Sequence, residues 1–268
     1  MPSFTQDPAA AMAGKNGHSL ISAEKFRQLF DALVASQLLN QHLRVSGKAA
    51  AAPHREAGPA GLILDLRPED TILLPSATHF AHRVKGAPLK PLLHQPAAAP
   101  AGPLLKRLAH ATAIALTNKL EKNGAIVLTL FDLVADGKPG LSSFDEVFVA
   151  AETNQLPVLF VLESHAGFTD SEKFKQTHPA LPYIAVDAHD IVAVYRVAQE
   201  SIVRTREGAG PALIELASFS TSEEDPVDKM HSYLHAKGLP AKRWRSEAVR
   251  RFEKELQAAC HLQSDPLA

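Results

Sequence analysis

The chain has 268 residues, 46 % hydrophobic and 21 % charged, enough to bury a sizeable core and ordinary for a globular α/β unit. A formal net charge of −1 excludes a global field that would draw it to nucleic acid or a membrane surface. No apolar run reaches the roughly 20 residues a bilayer span needs, and the one cysteine, Cys260, excludes an internal disulfide.

Met1 to Gly17 lacks the charged-then-apolar order of a secretory signal, so residues 1–18 are expected to be a disordered tail of a cytoplasmic protein. Residues 19–268 are then expected to form one domain. From Ser22 to Arg44, Phe26, Leu29, Phe30, Leu33, Val34 and Leu38 recur at helical spacing. Ser22 is placed to cap that helix, with Ile21 stapling onto Phe26 across the cap. Ala60 to Leu66 reads as helix, Arg67-Pro68-Glu69-Asp70 as a turn, and Thr71 to Leu74 as a short strand. Proline recurs too often between Gln95 and Pro103 for helix or ladder hydrogen bonding, which makes this stretch a linker. Leu104 to Leu120 is an Ala-rich helix suited to close packing on a sheet.

Beyond Gly124 the pattern changes. Ala125–Phe131 and Leu156–Leu162 are continuous apolar runs, as strands buried on both faces require, and Ser143–Asn154 between them is helical. Tyr183–Val186, Ile191–Glu207 and Ala212–Leu216 repeat the strand, helix, strand order, and Arg243–His261 is a final amphipathic helix. This alternation predicts an α/β fold, a doubly wound and mostly parallel sheet with helices on both faces.

Ligands of such sheets sit beyond the carboxyl ends of the strands, which directs attention to the loops after Phe131, Leu162 and Val186. The first carries Asp132, Asp136 and Gly137. Taken alone, Asp136-Gly137 reads first as an ordinary turn and second as a hard-cation ligand followed by a glycine that lets backbone approach a phosphate. The second loop, Glu163-Ser164-His165-Ala166-Gly167, puts His165 at 29 positions after Asp136 (165 − 136). Imidazole is a poor magnesium ligand, so His165 alone reads as a solvated loop histidine. No phosphate-binding glycine fingerprint, nucleophile elbow or zinc-ligand spacing is present.

Together these segments resemble a known family. Ala135-Asp136-Gly137 followed at that interval by Ser164-His165 looks like the thiamine-diphosphate motif, Gly-Asp-Gly to Asn-Asn. Leu156-Pro157 with the run VLFVLE, and then Val186, Asp187, Asp190, Arg206, Gly208, Gly210, Pro211 and Glu215, fall in order along the same pattern. So do Glu56-Ala57, LDLRPEDTILLP and Gly86-Ala87-Pro88-Leu89 upstream. Over roughly residues 20–260 the chain resembles the alpha subunit of the thiamine-diphosphate-dependent decarboxylating component of 2-oxo acid dehydrogenase complexes.

The resemblance implies thiamine diphosphate and Mg²⁺ as cofactors, with oxidative decarboxylation of a 2-oxo acid and acyl transfer to a lipoyl group. It implies cofactor contacts from Asp136, Gly137, Glu163, Ser164, His165 and Gly167, and metal ligation by Asp136, His165 and the Gly167 carbonyl. Asp132 is the alternative to Asp136, because the apolar run ends at Phe131. The implied partners are a beta-type subunit or a second copy, and a lipoyl-bearing acyltransferase. Several functional positions depart from the pattern. Ser76-Ala77-Thr78 replaces the family's Tyr-Tyr-Arg, Ala135 a glycine, and His165 the second asparagine. The Ala-Pro linker stands where the family has a glycine-rich stretch, and Ala217 leads almost directly into Asp225-Pro226-Val227, the family's Asp-Pro-Ile helix start. These departures imply a weakened or lost cofactor site, and a scaffold or regulatory paralogue as the alternative function.

Overall fold

In the computed structural model, the described residues are 21–48, 50–93, 103–133, 140–164, 171–218 and 224–261. The tail at 1–18 and most of the linker at 95–103 lie outside them. Helix α1 (Ala23–Val45) starts as its sequence predicts: the Ser22 side chain accepts a hydrogen bond from the Lys25 amide at 3.2 Å, and Ile21 and Phe26 are buried together.

Helix α2 (Ala57–Ile63) begins three residues earlier than its apolar pattern suggests and ends before Leu66. The sequence Ala-Gly-Pro-Ala-Gly gives it no bulk, and bulk would not fit. A Cβ on Gly61 would lie 3.0 Å from Val194 Cγ1 and 3.1 Å from the Ile191 carbonyl. After β1 (Thr71–Leu73) come a 3₁₀ segment (Ser76–Arg83) and the short helix α3 (Leu89–Leu93). Then follow α4 (Leu104–Glu121), β2 (Val127–Asp132), a 3₁₀ turn (Leu141–Phe144) and α5 (Asp145–Thr153). The chain continues through β3 (Val158–Ser164), α6 (Ser171–Thr177), β4 (Tyr183–Asp187), α7 (Ile191–Arg204), β5 (Ala212–Ala217), α8 (Pro226–Ala236) and α9 (Ala241–His261).

Among the described residues, five strands form one parallel sheet in the order β1-β2-β3-β5-β4. Its apolar runs are buried on both faces because successive side chains alternate between two layers. Leu128, Leu130, Leu159, Val161, Ile214 and Leu216 pack toward α2, α7 and α9. Val127, Phe131, Phe160, Leu162 and Leu213 pack toward α4, α5 and α6. A further cluster joins α1 to α7, α8 and α9 outside the first layer, with Phe30 and Trp244 among its members. The predicted α/β sheet with helices on both faces is the fold observed.

Two of the predicted strands are displaced slightly toward their carboxyl ends. β2 and β3 each start two residues later than the apolar runs and extend to Asp132 and Ser164. Pro157 has no amide proton to donate, yet its carbonyl accepts from the Val127 amide at 2.9 Å, so it leads into the ladder without extending the strand. The helix expected over Ile191–Glu207 ends at Arg204 and widens into a π turn at Thr205–Ala209, where Gly208 takes φ 90°. Among the described residues no helix is long and apolar enough to cross a membrane.

Candidate functional site

The carboxyl edge of the sheet carries three acidic residues at the ends of β2, β3 and β4. Asp132 of β2 pairs in register with Glu163 of β3, and Ser164 and Asp187 of β4 both pair with Ala217 of β5. Alternation sends Asp132, like Leu130, and Glu163, like Val161, to the face covered by α2 and α7. Ser164 points, like Leu162, toward the α5 face. The edge therefore divides its predicted site residues between two faces.

Two of these edge carboxylates, Glu163 and Asp187, meet cations. Pro53-His54 turns the chain ahead of α2, with His54 in the left-handed region at φ 65°. This turn delivers Arg55 to Glu163, with Nη1 to Oε1 at 3.8 Å and only 14 % and 12 % of the two side chains exposed. Asp187 accepts from Lys229 Nζ of α8 at 2.6 Å and from the His189 amide at 3.0 Å. Burial would raise the Asp187 pKa, but Lys229 and the His189 amide outweigh it and hold the carboxyl below its ordinary value. His189 is pushed below the usual imidazole range, chiefly by burial and with help from Arg55 and Lys229 against the attraction of Asp187. It is therefore neutral at pH 7, the form able to take up a proton.

Behind this edge, Glu56 is 2 % exposed and accepts from Asn40 Nδ2 at 2.6 Å, while Asn40 Oδ1 accepts from the Ala51 amide at 2.9 Å. Burial is the main cause that raises the Glu56 pKa. Asp190 and Asp225 cap α7 and α8, and Gln37 Nε2 donates to both Asp225 oxygens at 2.8 and 2.9 Å. The helix start expected at Asp225-Pro226-Val227 is thus realised.

Of the residues expected to hold the cofactor, Asp136, Gly137, His165 and Gly167 lie outside the described residues. Asp132, Glu163 and Ser164 are described, and the first two are brought side by side. Among the described residues, no group of three or more His, Cys, Asp or Glu side chains could hold a metal ion. Thr78 is 2 % exposed and its hydroxyl donates to the Pro75 carbonyl at 3.0 Å. A buried hydroxyl committed to its own turn offers nothing to an anion. The cations at the edge face carboxylates of the same chain.

Sequence reasoning misses Arg55, His189 and Lys229. His189 lies two residues past the end of β4, in a loop that strand order singles out, so that signal is available. Arg55 and Lys229 come from helix-flanking positions, and nothing local marks them as neighbours of the edge.

The profile of the family described as Dehydrogenase E1 component matches residues 98–266. The alpha subunit of acetoin:2,6-dichlorophenolindophenol oxidoreductase from Bacillus subtilis is 34 % identical over 95 residues, covering 31 % of this chain and 28 % of that subunit. The alpha subunit of the pyruvate dehydrogenase E1 component from Staphylococcus epidermidis is 28 % identical over 156 residues, 46 % of this chain and 42 % of that subunit. The matched stretches thus span less than half the length of either relative. A crystal structure of transketolase from Pichia stipitis superposes with a TM-score of 0.55 at 13 % identity, covering 89 % of this chain and 45 % of that one, so the fold is shared. The order of motifs, the parallel sheet and the matched profile agree: this chain belongs to the dehydrogenase E1 component family.

Proposed function

We propose that the chain is an alpha-type subunit of a 2-oxo acid dehydrogenase E1 component that keeps the family's sheet and partner surface without binding thiamine diphosphate tightly. The observation that carries this reading is Thr78, buried and bonded to Pro75 where the family presents a diphosphate-binding arginine. A charge-assisted hydrogen bond to phosphate is worth about 1.5–3 kcal/mol, so removing even one weakens cofactor binding at least about tenfold.

A partner surface is supported by α4. Its buried stripe is Leu104, Leu108, Ala111 and Ala115, and a second stripe of Leu105, Ala109, Leu116 and Leu120 is exposed at helical spacing. The exposed fraction of Leu120 is 73 %. Such a stripe suits a beta-type subunit or a second copy of this chain in a cytoplasmic assembly.

The reading with activity retained draws support from Asp132 and Glu163, which are in register at the carboxyl edge. In it, Asp136, or Asp132 in its place, would ligate Mg²⁺ together with His165 and the Gly167 carbonyl. Gly137, Glu163 and Ser164 would border the diphosphate. Bound thiamine diphosphate would supply the carbanion-stabilising chemistry that decarboxylates a 2-oxo acid, and a lipoyl-bearing acyltransferase would receive the acyl group. This chain's own part would be to hold the metal and the diphosphate.

Calorimetric titration with thiamine diphosphate and Mg²⁺, of the chain alone and with a beta-type subunit, separates the two. The proposal expects no saturable heat at millimolar cofactor in either case. Saturable micromolar binding that Asp136→Ala abolishes would overturn it in favour of the active subunit.

A further inference from the structure

Helix α4 carries two apolar stripes, and only one of them faces the sheet. Successive residues turn by about 100°, so Leu105, Ala109, Leu116 and Leu120 fall within about 60° of one another, roughly 120° round from the buried Leu104, Leu108, Ala111 and Ala115. Six large apolar side chains are exposed among the described residues, and Leu105, Leu116 and Leu120 are three of them. Single exposed apolar residues are ordinary, but a row of them on one helix marks a contact surface.

The order of the stripe selects its occupant. Leu105 and Leu120 lie equally far from the midpoint between Thr112 and Ala113, and so do Ala109 and Leu116. A two-fold axis through that midpoint lays a second α4 alongside, antiparallel, with Leu105 against Leu120 of the second copy and Ala109 against its Leu116. Large residues then meet small ones near the centre, where Ala109 and Ala113 let the backbones approach. A surface that meets itself must be self-complementary in this way, whereas a different partner imposes no such symmetry.

The charges agree with that pairing. Lys106 and Glu121 stand at opposite ends of one flank of the stripe, and the axis keeps the flank together while reversing its ends. Each Lys106 therefore meets Glu121 of the second copy. Among the described residues the Lys106 side chain makes no ion pair, and Glu121 accepts only from Asn123 Nδ2, at 3.3 Å. Lys119, on the other flank, is turned to α5, where its Nζ donates to the Asn154 carbonyl at 2.6 Å, so the two lysines do not meet.

We propose that α4 pairs antiparallel with α4 of a second copy, making this chain a two-fold dimer through Leu105, Ala109, Leu116 and Leu120. The pairing rests on the reading of α4 as a partner surface and selects a second copy over a beta-type subunit.

Sedimentation equilibrium of the full chain is expected to show a monomer–dimer equilibrium, half paired by about 100 μM. Leu120→Glu, at a side chain 73 % exposed and so without cost to the core, should weaken pairing at least about tenfold. Val203→Glu, at an exposed apolar residue of α7 on the opposite layer, should leave it unchanged. Cross-linking in a Cys260→Ser background reads the register. Ala113→Cys lies beside the axis, within disulfide reach of its own counterpart, and should oxidise to a covalent dimer. Leu105→Cys should not, because its two copies stand about 22 Å apart in an antiparallel pair. A chain that stays monomeric to about 500 μM overturns the proposal. So does cross-linking through Leu105→Cys instead of Ala113→Cys, or dimerisation that Leu120→Glu leaves intact. A monomer that binds a beta-type subunit through the same stripe also overturns it and assigns α4 to that subunit. None of these results alters the calorimetric outcome with thiamine diphosphate, which tests the functional reading separately.

Discussion

Replacing Arg206 with methionine keeps the aliphatic stem and removes the guanidinium from a buried ion pair. Arg206 Nη1 and Nη2 donate to the two oxygens of Asp70 at 3.0 and 2.7 Å, and Nη1 also donates to the Gly124 carbonyl at 2.7 Å. The Asp70 carboxylate is fully buried, at 0 % exposure, while the Arg206 side chain is 12 % exposed. Breaking such a pair costs about 3–5 kcal/mol, because the orphaned charge stays out of water. Asp70 also accepts from the Ile126 amide at 2.9 Å and the Arg67 amide at 2.7 Å, and these bonds survive the substitution. The expected loss is therefore at the lower end, about 3 kcal/mol. With an m-value of about 3 kcal/mol/M for a chain of this size, the urea midpoint at pH 7 should fall by about 1 M.

Acidification supplies a second, signed test of the same pair. Burial works to raise the Asp70 pKa, but Arg206 and the two amides outweigh it and hold the carboxyl below its ordinary value. A depressed folded pKa means the stabilisation is present above the unfolded value of about 3.9 and is lost as pH falls through the folded one. In Arg206→Met burial prevails, so the penalty grows as pH rises above about 4. The gap between wild type and variant should thus narrow toward pH 4 and below. Asp70→Asn in the Arg206→Met background should recover part of the loss at pH 7 by removing the stranded charge. Urea unfolding followed by far-UV circular dichroism measures all three. A destabilisation below about 1 kcal/mol at pH 7, or a gap that does not shrink in acid, refutes the reasoning.

Gly61→Ala should cost about 1–3 kcal/mol by wedging α2 off α7, whereas Gly140→Ala, whose Cβ would meet only Ser142 Oγ at 3.5 Å among the described residues, should stay within about 0.5 kcal/mol; thermal unfolding compares them. His82 is pushed down to about 4, first by burial and then by His79 and Lys85. Its folded pKa lies below the unfolded value of about 6.5, so stability should decline as pH falls from about 6.5 to 4, by about 1–2 kcal/mol for a partly solvated ring. His82→Gln should flatten the urea midpoint between pH 7 and 5, and an unchanged slope would discount the histidine. The buried His178 ring lies between Asp145 at 3.1 Å and Glu152 at 3.4 Å, with Phe148 and Phe174 against it. His178→Ala should therefore destabilise by about 2 kcal/mol, read as a lower midpoint at unchanged m-value.

The parallel sheet was legible because its strands are buried on both faces, and only nearly continuous apolar runs such as Val127–Phe131, broken only by Thr129, and Val158–Leu162 satisfy two layers at once. Helix α1 was legible from its cap and stripe, since both are local in sequence. The short pieces, α3, α6 and the 3₁₀ segment at Ser76–Arg83, were not, because five to eight residues carry too little periodicity to identify. At the carboxyl edge, strand order predicted where Asp132 and Glu163 would stand. The counterions of Glu163 and Asp187 came from elsewhere: Arg55 sits 108 positions before Glu163 (163 − 55), and Lys229 sits 42 after Asp187 (229 − 187).

Asp70 and Arg206 show the same division most sharply. Each stood in a segment that resembled the family, yet only the folded chain joins them, across 136 positions. Local patterns determine which residues turn, coil or extend, because hydrogen bonds and side-chain spacing act over a few residues. Which charges neutralise one another is decided by tertiary packing. Burial sets the cost of a lone charge, and only the fold determines what is buried.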